Sequence, residues 1–169
     1  MGLPISPYNL SEIMNFQGNF KKLGEIDIAP MRELVEQLTD AHWTQEDTRQ
    51  KRYEVHKDTQ FIPLVYDEDF RHMNATRRPQ LNLFGPDLHP IFEKIATYYE
   101  TSEETLSTFN RDIEGYFVRV SLVKLLADGE IEEHKDKNFS LTHSHRVHVP
   151  IISNDEVFFS VGSETKCLK

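Results

Sequence analysis

Cysteine is almost missing from this chain. Cys167 is the single one, so no disulfide can form within it, and a reducing, cytoplasmic setting is expected. Long apolar runs are missing too: none approaches the roughly 20 residues that a membrane-spanning helix needs. The opening MGLPISPYNLSEIM has neither the basic segment nor the apolar stretch of a secretory signal. Positive charge is scarce, with 19 Lys and Arg against 28 Asp and Glu, a formal net charge of −9. That balance argues against a nucleic-acid partner, which requires a basic face to neutralise phosphates. It leaves room for a local basic pocket that holds a small anion. There is no internal repeat and no low-complexity tract.

What remains is an ordinary globular composition. Its 169 residues, 38% hydrophobic and 28% charged, suit one domain with a real core. Residues 21–30 (KKLGEIDIAP) read as a short strand ending at Pro30. Met31, Leu34, Val35 and Leu38 then fall on one helical face, with Pro30 well placed in the first turn. Residues 44–60 are polar and read as surface. FIPLVYD (61–67) reads as a strand that Pro63 assigns to a sheet edge, and 74–90 as loop. Ile91, Phe92, Ile95, Tyr98 and Tyr99 make a second helical stripe. Thr101 and Glu104 have the spacing of a capping box that opens a third helix.

The pattern changes after Gly115. YFVRVSLVKLL (116–126) alternates, with Val118, Val120 and Leu122 on one face and Arg119 and Ser121 on the other. RVHVPII (146–152) and EVFFSVG (156–162) read as further strands joined by the turn SNDE. Helices first and antiparallel strands afterwards predict a mostly β, α+β domain with helices outside a sheet or barrel. A helical and mixed part spans 1–114 and the strand-rich core 115–169.

Four of the eight histidines, His134, His143, His145 and His148, lie close together in the strand-rich part. His134 and Asp136 form a His-x-Asp pair whose side chains project to one side of an extended chain. Imidazole plus carboxylate, completed by a second histidine, is the facial triad of non-haem Fe(II). By itself the pair is a weak signal, and a solvated turn among Glu132, Glu133, Lys135 and Lys137 is the plainer reading. Arg146 and His148 share a face on the next strand. An inward Arg needs an anionic partner, and its planar fork suits a carboxylate. The competing readings are an Arg146 salt bridge to one of the many acidic residues and a core histidine at 148. His143 and His145 read as loop residues. Arg119, Ser121, His56 and Arg52 are candidate pocket residues, His56 and Arg52 also reading as surface.

LLADGEIEEHKDKN followed by HRVHVPIISNDEVFFSVG resembles the aspartyl/asparaginyl β-hydroxylase family of Fe(II)- and 2-oxoglutarate-dependent dioxygenases, related to proline hydroxylases. The likeness is most specific over 117–162 and looser over YEVHKDTQFIPL. It implies a double-stranded β-helix (jelly roll) and hydroxylation of an amino acid, free or peptidyl. Its cofactors would be Fe(II) and 2-oxoglutarate, with O2 consumed and succinate and carbon dioxide released. It implies that His134 and Asp136 are metal ligands and that Arg146 and His148 contact the 2-oxoglutarate carboxylate. Some members lack the acid of the first motif; Asp136 is present here. The family's distal His, and the Arg on a late strand after it, have no counterpart before Lys169. The chain therefore reads as the N-terminal part of a longer enzyme with an incomplete jelly roll. The third ligand is expected from a His beyond Lys169; only robust activity of the 169-residue chain itself would turn the search to His56, His72 and His89. Two rival expectations are a non-catalytic jelly-roll binding domain or inactive fragment, and a cupin-like metalloenzyme. Small-molecule or peptide substrates are expected as partners, and neither nucleic acid nor membrane.

Overall fold

The computed structural model describes residues 18–71, 74–102, 115–142 and 144–169. Helices and two small antiparallel sheets alternate in it. The helices are α1 Ala29–Glu36, α2 Asp40–Trp43, α3 Thr48–Arg52, α4 Leu81–Thr101 and α5 Phe139–Thr142, with a 3-10 turn at Glu54–His56. The strands are β1 Thr59–Asp67, β2 Ala75–Arg77, β3 Val120–Leu125, β4 Phe158–Val161 and β5 Glu164–Cys167. The order in the larger sheet is β2-β1-β3, while β4 and β5 form a hairpin. The chain is α+β, and helix outweighs strand among the described residues. No described helix is long and apolar enough to cross a membrane.

Alternation in β1 explains the core. Ile62 and Leu64 turn towards the helices, where they meet Met31 of α1, Trp43 of α2, and Phe84, Leu88 and Ile91 of α4; Leu122 of β3 joins them. Leu34, Val35 and Leu38 pack against this cluster, so the expected stripe is the buried face of α1. Pro30 stands in the first turn of α1, where its missing N–H has no helical acceptor to lose.

Four sequence-based expectations change. β1 is the central strand of its sheet, but β2 pairs only with Val65–Asp67, so Pro63, opposite Ser121 of β3, has no described strand on its other side. Residues 74–90 hold β2 and the first half of α4, which continues through Pro86 and Pro90. Residues 21–28 and 146–152 carry no strand. The latter run as an irregular extended segment, tied to α1 by a hydrogen bond from Arg32 Nε to the Ile151 carbonyl at 3.1 Å. The capping box at Thr101 and Glu104 falls partly outside the described residues, as do His72 and His143.

Among the described strands β3 is paired on one side only. Phe61, Pro63, Ser121, Val123 and Leu125 line a broad open cleft whose other side is built by the 130–137 loop and the 144–152 segment. Its volume, about 3400 Å³, is several times the roughly 300–1,000 Å³ of a small-molecule pocket. The cleft as a whole is therefore larger than a small-molecule pocket, and the candidate residues lie at its polar end.

Candidate functional site

The polar end is assembled around Asp58 and its neighbours. Leu126 N donates to the Asp58 carbonyl at 2.9 Å, and Glu130 N to the Asp58 carboxylate at 3.2 Å. Gly129 fits here because a Cβ would stand 2.8 Å from Asp58 Cβ and 2.9 Å from the Leu126 carbonyl oxygen. This close approach anchors the 130–137 loop beside the 3-10 turn. As a result His56 and His134 meet edge to face with ring centroids 5.5 Å apart. His134 is exposed, and its Nδ1 donates to the Glu132 carbonyl at 2.8 Å, which leaves Nε2 as the acceptor.

Arg49 closes the cluster from α3. Gln50 Nε2 ties that helix to β1 by donating to the Thr59 carbonyl at 2.8 Å, and Thr59 Oγ1 donates to the His56 carbonyl at 2.8 Å. Arg49 Nη2 lies 3.1 Å from His56 Nε2 and 3.3 Å from Nδ1. A guanidinium can only donate, so the contact requires a neutral imidazole. The loss of water around His56, then the charges of Arg49 and His134, lower its pKa from 6.5 to about 4. Burial is also the first cause of a lowered Arg49 pKa; the Arg146 and Arg119 charges add to it, and Tyr66 and Asp136 oppose it.

Asp136 and Arg146 form an ion pair. The His-x-Asp and Arg-x-His pairs are thus placed against one another, ten residues apart in sequence. His148 is near enough to feel Arg146. Its pKa is lowered first by loss of surrounding water and then by that charge, and its ring lies 4.5 Å from Phe159. His148 still keeps a solvent-exposed outer surface.

Other sequence candidates are structural or lie elsewhere. Arg119 borders the cleft, but its guanidinium is bound to the fully buried Asp67 and lies between Tyr66 and Phe70, 4.7 and 4.9 Å from their ring centroids. Ser140 of α5 donates to the same carboxylate. Ser121 is exposed on β3 on the cleft side. Arg52 is exposed and stacks on Tyr53. His145 is engaged with Tyr99, whose hydroxyl lies 2.8 Å from Nδ1. Burial and then Tyr98 push the Tyr99 pKa up to about 12. His89 pairs with Glu93 along α4 at 3.2 Å. Arg49 was not singled out by the sequence, because it stands in a polar stretch that reads as surface. A cation seven residues before a candidate histidine was the available signal, and it becomes meaningful only once α3 and the 3-10 turn fold back on each other.

Among the described residues no group of three or more His, Cys, Asp or Glu side chains is arranged to hold a metal ion. His134 and Asp136 supply two donors, and the second already faces Arg146. A complete facial triad is not formed by the described residues. The chain matches no protein-family model, no curated protein and no solved structure.

Proposed function

We propose that the chain carries the His-x-Asp half of a non-haem Fe(II) site and the carboxylate-binding Arg-x-His pair of a 2-oxoglutarate-dependent hydroxylase acting on an amino acid, free or peptidyl. One observation carries the reading: the Asp136–Arg146 ion pair brings the two motifs, separate in sequence, to the same end of one cleft. His134 and Asp136 would be the ligands from this chain, and Arg146 with His148 would bind the cosubstrate carboxylate. Iron with 2-oxoglutarate would supply the oxidising chemistry. The protein's part is to orient the acid, limit water and present the substrate. The jelly roll belongs to the same proposal, with β1 and β3 as members of one of its sheets.

The decisive assay is succinate release with Fe(II), O2, 2-oxoglutarate and a panel of amino acids and peptides. Release that depends on both 2-oxoglutarate and iron, and is abolished in a folded His134→Ala variant, is the expected result. Unchanged turnover in that variant would remove the ligand assignment. Arg146→Lys should raise the 2-oxoglutarate requirement, because lysine keeps the charge but loses the fork.

The incomplete donor set favours a second reading, a carboxylate-binding domain without turnover. Binding of 2-oxoglutarate with no succinate under any of these conditions would select it.

A further inference from the structure

Five arginines line the cleft, Arg49, Arg52, Arg78, Arg119 and Arg146. Glu68 pairs with Arg78, Asp67 with Arg119 and Asp136 with Arg146, and Arg52 is exposed. Arg49 has no carboxylate within ion-pair distance among the described residues. It is nonetheless half-buried, held by a helix pinned to β1, with its guanidinium 5.3 Å from the Phe61 ring centroid and one nitrogen against His56. A cation withdrawn from water without a counter-ion is costly. Stacking on an aromatic face recovers part of that cost, and a neutral imidazole accepts only one hydrogen bond. The rest of the guanidinium fork opens on the cleft.

We propose that Arg49 is the anchor for a carboxylate of a small-molecule ligand, the amino-acid substrate of the site, and that it sets the requirement for an acid at that position. This deepens the hydroxylase reading and rests on it for the substrate class; the binding itself follows from Arg49 alone. The planar fork of Arg49 matches the two oxygens of a carboxylate. Phe61 backs the guanidinium plane and holds the fork towards the open side. A flexible lysine at this position would not be aligned in this way.

The test uses the whole chain without iron or 2-oxoglutarate, so success or failure of turnover does not enter it. Arginines are modified with phenylglyoxal and their rates read by mass spectrometry, with L-aspartate as the probe and L-asparaginamide as its counterpart without a carboxylate. L-Aspartate should slow modification of Arg49 by about tenfold, the scale of one charge-assisted hydrogen-bonded pair, while exposed Arg52 reacts at an unchanged rate. L-Asparaginamide should protect neither. In calorimetry, Arg49→Lys, folded by circular dichroism, should bind L-aspartate about tenfold more weakly. Protection confined to Arg146, with Arg49 reacting at its ligand-free rate, would overturn the proposal. Equal protection by inorganic phosphate would overturn the carboxylate assignment, and wild-type affinity in Arg49→Lys would overturn the role of the fork.

Discussion

Asp67→Asn tests the joint on which the cleft wall hangs. Asp67 ends β1, is fully buried, and accepts from Arg119, just before β3, and from Ser140 in α5. The Arg119 side chain keeps only 19% of its exposure. The substitution preserves shape and one oxygen but deletes the charge, and so leaves a guanidinium nearly sealed from water between two rings. Breaking one partner of a buried pair costs about 3–5 kcal/mol; the retained amide oxygen should reduce this to about 2–4 kcal/mol. Against a typical total of about 5–15 kcal/mol, that is a large fraction. With a urea slope of about 1–3 kcal/mol per molar, the midpoint should fall by about 1–3 M. Trp43, the only tryptophan and 6% exposed in the core, reports unfolding by fluorescence. Joint replacement, Asp67→Leu with Arg119→Met, should be less damaging than the sum of its single variants, because no charge is left stranded. A loss below about 1 kcal/mol in Asp67→Asn would refute the account of the joint.

Gly129→Ala should destabilise by about 1–3 kcal/mol through overpacking against Asp58 and the Leu126 carbonyl, and should shift the His134 ring signals in NMR spectra; unchanged signals would deny the tether. Gly162 has φ +58 in the β4–β5 turn, so Gly162→Ala should cost about 1 kcal/mol in urea unfolding. The pKa of His56 is lowered from 6.5 to about 4, so the folded state resists its protonation. Its stabilisation is complete above pH 6.5 and declines as pH falls towards 4. After allowance for the ring's partial exposure, the effect is about 1 kcal/mol. His56→Gln should show a correspondingly shallower loss of stability over that range, and an identical profile would count against it.

The sequence announced those elements whose pattern is local. The stripe of Met31, Leu34, Val35 and Leu38 needs only helical periodicity to be read, and it is the packed face of α1. Alternation likewise located β3, while the apolar runs FIPLVYD and EVFFSVG located β1 and β4. Proline gave two different outcomes. Pro63 pointed to an edge, and although β1 is central, Pro63 stands on the stretch that β2 does not cover. Pro86 and Pro90 hid the first half of α4, although Phe84 and Leu88 continue the apolar stripe of Ile91 and are buried with it. Strand periodicity in RVHVPII was overridden because no described strand lies alongside to complete a ladder. In the site, the motif residues were visible as spacing. The contact between His56 and His134 and the engagement of Arg119 by Asp67 depend on segments more than fifty residues apart, and no local pattern encodes such meetings. Arg49 was hidden for the same reason: only its three-dimensional surroundings separate it from the neighbouring exposed arginine.

The ion pair between Asp136 and Arg146 also behaves as an interlock. On the proposed function, a cation at Asp136 and an acid at Arg146 must each open the same contact. Whichever enters first leaves the partner charge released for the other. The two occupants are then linked heterotropically, and because linkage is reciprocal, each must tighten the other by the same factor, commonly about 5–150-fold. Neither ligand alone would show its full affinity. On that reading the Asp136–Arg146 pair would admit the acid and the metal as a set, and either one arriving alone would be held weakly.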